Sequence, residues 1–147
     1  MNTFKYQIIQ FIIMIIIGIL FNPMNILAFR INDLYLSLTL FYGGMLMASN
    51  MMWSHEIIHY LSMGHFNIFI FSIGVFLSIS ISIFLLRKQF LVNDEQWLKR
   101  MISHHSTALT TSHNIKNKTT NPIVNKLAND IIEVQEKEIT LMKNLLK

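Results

Sequence analysis

The chain of 147 residues has no cysteine at all. That excludes a disulfide framework, a thiolate zinc site, a cysteine-held iron–sulfur cluster and a cysteine nucleophile. Charge is also scarce: charged residues make up 14% of the chain, against about 25% in soluble domains. Proline occurs twice and glycine five times, so little of the chain is built for turns or linkers. Apolar residues reach 52%, rich in Ile, Leu, Phe and Met, which excludes an intrinsically disordered chain. Any soft metal site must therefore draw on the ten methionines and six histidines. The net charge of +4 suits an anionic membrane surface as well as nucleic acid and selects neither.

The few charges are unevenly placed. Residues 1–86 hold only Lys5, Arg30, Asp33 and Glu56, whereas 87–147 hold the other sixteen. Three long charge-free gaps in the first part each fit a bilayer crossing, which takes about 20 apolar residues as helix. The reading is a membrane module over 1–88 with transmembrane helices at about 4–21, 34–53 and 66–86, and a second domain over 93–147. Lys5 before an Ile-rich core also resembles a signal peptide, but Ile26-Leu27-Ala28 lacks the small residues that cleavage prefers, so the first span reads as retained. Asn22-Pro23 ends it. Gly44 and Ala48, and Gly74, Ser78 and Ser82, stand four apart, a spacing that lets the second and third spans pack closely. Arg30, Arg87, Lys88, Lys99 and Arg100 favour a cytoplasmic C-terminal part, while a signal-like first segment favours the opposite side.

The second part reads as an antiparallel helical hairpin. Asn93 caps a helix over 94–114, with Gln96 in the capping-box position. Asn121-Pro122 starts a second helix over 122–146. Its residues Val124, Leu127, Ile131, Val134, Glu138, Leu141 and Leu145 are spaced 3,4,3,4,3,4, a heptad seam expected to face the first helix. The first helix offers Leu98, Met101, His105, Ala108 and Ser112. A turn centred near Thr119 sets Met101 level with Glu138 and His105 level with Val134–Gln135. Met101, His105, Gln135, Glu138 and Met142 then converge, with His104 rotated about 100° from His105. A charged seam residue needs a partner or a metal. A His105–Glu138 bond that only fixes register is one reading; the flanking thioethers suit copper better than zinc, magnesium or calcium.

The sequence Met101-Ile102-Ser103-His104-His105, with Gln135-Glu136-Lys137-Glu138-Ile139-Thr140-Leu141-Met142, resembles the domain of unknown function 305 family. That family carries Met-Ile-Pro-His-His early in one helix and Gln-x-x-Glu-Ile-x-x-Met late in the next. The resemblance covers 97–146, about a third of the chain. It implies a ferritin-like all-α hairpin, in some members tied to copper and preceded by short transmembrane segments. Carried over, it offers Met101, His104, His105 and Met142 as metal ligands, with Glu138 beside them. Ser103 replaces the family's proline, and Thr110-Thr111 stand where a further methionine is common, which removes a soft ligand that His113 is placed to replace.

A second constellation lies at the expected membrane edge. His55-Glu56-Ile57-Ile58-His59 is an H-E-x-x-H pattern, which on a helix brings two histidines to one zinc with the glutamate activating water. His65 lies ten residues after His55, but Ser62 stands where metzincins need glycine. Met63 and Met45, Met47, Met51 and Met52 surround these histidines, giving a secondary candidate metal set of His55, His59, His65 and Met63. Trp53, Tyr60 and Phe66 read as interfacial anchors. There is no phosphate loop and no nucleophile elbow, and the basic residues alternate with acids, against nucleic-acid binding. The leading expectation is thus a non-catalytic, membrane-anchored metal-binding protein with copper ion as cofactor, embedded in the lipid bilayer and a homo-oligomer through its hairpin. The alternatives are a structural or assembly membrane protein without metal, and a membrane zinc metalloprotease using His55, Glu56 and His59.

Overall fold

The computed structural model describes residues 3–147, and side chains from Lys5 onward; the first two residues of the 1–88 module lie outside it. The described residues are all-α, with no strand among them. In chain order they form α1 (Thr3–Leu20), the single turn α2 (Pro23–Ile26), a 3₁₀ turn at Ile31–Asp33, α3 (Leu38–Met63), α4 (Ile68–Ser80) continuing as π-helix over Ile81–Arg87, α5 (Asp94–Lys116) and α6 (Pro122–Leu145). The chain divides into two compact units, one made of the residues up to Phe21 with Leu38–Leu91, the other of Asn22–Ser37 with Val92–Lys147. The segment Asn22–Ser37 thus joins the second unit rather than the membrane module in which the sequence places it.

Two stretches are long and apolar enough to cross a membrane by length and composition: Lys5–Ile26, whose residues from Asn22 on belong to the second unit, and Ile68–Arg87 of the first unit. The middle span expected over 34–53 does not reach that standard. Residues 34–37 are not helical, and α3 carries Tyr42, Ser49, Asn50 and Ser54 among its apolar residues. A gap without charge is not the same as an apolar run.

Small residues set the packing of this unit. A Cβ on Gly44 would lie 2.9 Å from the main-chain oxygen of Ile15, and one on Gly18 would lie 3.0 Å from Cα of Gly44, so α1 and α3 touch backbone to backbone. Gly44 therefore serves the contact with α1, not the contact with α4 that its spacing from Ala48 suggested. Gly74 does serve the α3–α4 contact: its Cβ would meet Trp53 N at 2.9 Å. One turn on, the Ser78 hydroxyl donates to Ser49 Oγ at 3.0 Å. Beyond the π-helix, Gln89 and Leu91 take left-handed backbone (φ 49° and 56°). That turn is tied down by Tyr42, which donates to Phe90 O at 2.7 Å.

The second unit is built on α5 and α6. Asn93 accepts from Gln96 N at 2.9 Å and Asn121 from Ile123 N at 2.9 Å, so both helices start where their caps predict. Leu98, Ile102 and Leu109 of α5 pack with Ile139 and Met142 of α6, flanked by Tyr35, Met101, Ile132 and Leu146. This corrects the expected seam. Ala128, Ile139 and Met142 are buried, whereas Leu127, Val134, Leu141 and Leu145 are 49–65% exposed. Two heptad stripes coexist on α6, and the one through 128, 132, 135, 139, 142 and 146 faces α5. The α5 face is rotated too, with Ile102 and Leu109 at its centre and Ser103 and Ser106 buried beside them.

Those serines explain the rotation, because they receive the Asn22–Ser37 segment. Ser106 Oγ accepts from Phe29 N at 2.8 Å and donates to Asp33 Oδ2 at 2.7 Å. Ser103 donates to Asp33 O at 2.9 Å, and Thr107 donates to Met24 O at 3.2 Å. Asp33, fully buried, receives Lys143 Nζ on its other oxygen. Arg30 makes a two-pronged pair with Glu136 at 2.6 and 2.9 Å. A helix face rich in hydroxyls is thereby covered without leaving its polar groups unsatisfied.

Candidate functional site

The residues expected to bind metal fall in two separate places, one in each unit. In the second unit, His105 of α5 and Glu138 of α6 meet across the helix pair: Nδ1 of His105 lies 3.0 Å from Oε2 of Glu138. The expected register set Glu138 level with Met101; the observed one is a helical turn further on, which by the same spacing sets Met101 level with Met142. Met142 is buried in the apolar cluster and Met101 packs against it.

The His105–Glu138 approach is unusual in its direction. The His105 side chain is 13% exposed and that of Glu138 46%. Despite the 3.0 Å separation, Nδ1 is buried without a hydrogen bond of acceptable geometry. Two ligands held about 2.1 Å from a single ion at cis or tetrahedral angles stand about 3.0–3.4 Å apart, so the separation matches a ligand pair as well as an ion pair. Among the described residues, no three His, Asp or Glu side chains are gathered as a metal-holding group. The helix pair therefore offers one nitrogen and one oxygen donor, with Met101 and Met142 a helical turn further along in the apolar cluster.

His104 is exposed, its ring edge-on to His105 with centroids 5.8 Å apart. Partial burial lowers its pKa below the ordinary 6.5, with His105 and Arg100 adding to the effect. A histidine lowered on folding binds its proton more readily when the chain is unfolded, so stability rises with pH between the lowered value and about 6.5. His104→Gln should flatten this dependence, seen as a smaller difference in melting temperature between about pH 5.5 and about pH 7.5. At neutral pH the ring is unprotonated, as a ligand must be. His113, the candidate replacement for the missing methionine, is instead stacked on Phe29 at 4.8 Å and 9°.

In the first unit, the H-E-x-x-H segment forms the last turns of α3. His55 and His59 stack at 6.1 Å between ring centroids, and His65 lies 6.2 Å from His59. Gly64, at φ +70°, makes the left-handed residue that ends the helix. Nδ1 of His59 donates to His65 O at 3.1 Å, and Nδ1 of His65 to Met63 O at 3.0 Å. Because a carbonyl can only accept, both rings carry a proton on Nδ1, and the neutral tautomer this selects has its lone pair on Nε2. Glu56 is buried and accepts from Asn67 N at 3.0 Å, at the residue that caps α4. Its carboxylate thus has a structural task in joining α3 to α4. Met63 is 69% exposed. His55, Glu56, His59, His65 and Asn67 line an open cavity of about 570 Å³ with Tyr6 and with Gln7, whose Oε1 is buried and unpartnered.

The helix starts, the His105–Glu138 contact and the α3 histidine cluster were all visible in the sequence. The docking of Asp33 and Arg30 on the helix pair was not, since neither lies in a periodic segment. A lone buried-type acid in a nearly uncharged stretch was its only signal.

A family model described as Domain of unknown function (DUF305) matches residues 86–146. The uncharacterized protein L153 of Acanthamoeba polyphaga mimivirus is 36% identical over 126 residues, covering 85% of this chain and 81% of that protein. No solved structure matches this chain.

Proposed function

We propose, from the premise that this chain belongs to the domain of unknown function 305 family, that it is a membrane-anchored protein that binds metal without catalysis, sequestering or handing on copper. In this reading Lys5–Ile26 and Ile68–Arg87 anchor it in the bilayer, with α3 crossing between them. The serines of α3 support that: Ser49 and Ser54 donate to the main-chain oxygens of Leu46 and Met51, which satisfies hydroxyls within a bilayer. The second unit is then a ferritin-like antiparallel hairpin carrying the ion.

The observation that carries the proposal is the 3.0 Å approach of His105 Nδ1 to Glu138 Oε2 without hydrogen-bond direction. A carboxylate and an imidazole fixed at ligand separation, joined by the thioethers of Met101 and Met142 from the next helical turn, would form a donor set that suits copper in either oxidation state. His104 supplies a further neutral imidazole at the rim. The test is copper titration of the purified full-length protein in detergent. A variant carrying Met101→Ala, His104→Ala and His105→Ala should bind at least tenfold more weakly, in line with loss of direct ligands. Equal copper binding by that variant and the parent would overturn the reading.

A further inference from the structure

We infer that the His105–Glu138 site is half of a metal site, completed by a second copy of this chain paired along the outward stripe of α6. The inference rests on the copper reading above and extends it to the partner and the stoichiometry. Three observations lead to it.

The first is incompleteness: one chain gathers no third His, Asp or Glu donor at this place among the described residues. The second is the stripe itself. Val124, Leu127, Val134, Leu141 and Leu145 all fall on the 3,4-spaced seam from Val124 to Leu145 and are 36, 57, 49, 59 and 65% exposed. Single exposed apolar residues need no explanation, but a regular seam of them does. The third is where Glu138 stands, between Val134 and Leu141 on this seam, with its side chain 46% exposed and one carboxylate oxygen against His105.

Area argues for a conditional pairing. From Val124 to Leu145 the stripe runs about 32 Å, and a helix face about 10 Å wide gives about 300 Å² per chain, well short of the roughly 800 Å² per partner of a standard interface. The stripe alone makes a weak contact. A two-fold pairing in register at residue 138 sets Glu138 against its own copy. Two carboxylates enclosed in an apolar seam are unfavourable unless a cation lies between them. An outward swing of Glu138 onto the ion uncovers the buried Nδ1 of His105, and each copy then contributes one imidazole and one carboxylate, a two-nitrogen, two-oxygen set that suits Cu(II). The seam supplies alignment and the ion supplies the missing attraction.

The experiment uses the full chain in detergent, with Cu(II) as the probe, followed by sedimentation velocity and metal analysis. The expected result is a monomer without metal and a dimer holding one ion per two chains, reversed by a chelator. Leu141→Lys, at an exposed position outside the apolar core, should abolish the dimer and weaken copper binding at least tenfold. Glu138→Gln should abolish the copper dependence. Replacing both His59 and His65 by alanine should leave the copper-driven dimer intact, and its loss there would overturn the inference. One ion per chain on a monomer would overturn the pairing and leave the copper reading standing. Absence of copper binding would overturn both.

Discussion

Asp33→Ala should destabilise the second unit by about 3 kcal/mol, at the lower end of the range for removing one partner of a buried ion pair. Asp33 is fully buried, and its carboxylate holds both Lys143 of α6 and the hydroxyl of Ser106 on α5. Alanine leaves the lysine without its counter-charge and the serine without its acceptor, and it frees the Asn22–Ser37 segment from the helices. The lysine side chain is 27% exposed and can turn to water, which places the cost low in the range. Chemical unfolding followed by circular dichroism measures it. The double variant Asp33→Ala/Lys143→Met should recover part of the loss, because the stranded charge is gone. A destabilisation below about 1 kcal/mol would show that the segment is held by its other contacts, chiefly Arg30–Glu136 and Phe29–His113.

The second large effect lies in the first unit. Gly44→Val should separate α1 from α3, since the added Cβ would stand 2.9 Å from the main-chain oxygen of Ile15 and 3.2 Å from the Ile19 side chain. A main chain inside a helix cannot move aside as a side chain can, so the expected cost is about 3 kcal/mol, the upper part of the usual range for overpacking. Gly43 provides the internal control. A Cβ there meets nothing within 4 Å, so Gly43→Val should change stability little. Thermal unfolding of the two variants in detergent makes the comparison, and equal stability would mean that the α1–α3 crossing is not closely packed.

Much of this was legible from local chemistry. Asn93 and Asn121-Pro122 announced the helix starts at Asp94 and Pro122, because a capping side chain and a proline act on the first turn alone. The family resemblance rested on residues within two helices, and the match over 86–146 bears it out. The rotation of α6 was not legible. Its sequence carries two stripes with the same 3,4 spacing, and periodicity cannot say which one meets α5. The choice is made by contacts distant in sequence: the hydroxyl face of α5 is taken by the Asn22–Ser37 segment, which turns Ile102 and Leu109 toward Ile139 and Met142. The middle span was over-read for a different reason. Absence of charge between 34 and 55 hid the amide, the hydroxyls and the two tyrosines that lower its hydropathy.

The buried pair of Asp33 with Lys143 also sets a timetable. The two residues are 110 positions apart. At a synthesis rate of about 5–20 residues per second, Asp33 is added roughly 5–20 seconds before its lysine. Ser106, 73 positions after Asp33, is made first, so over the last third of that interval the Asn22–Ser37 segment has Ser106 without Lys143, while the apolar helices on both sides of it in the chain are already made. The second unit can close only when the last helix is complete, so a ribosome stalled late in the message would hold a nascent chain with finished apolar helices and an open C-terminal unit.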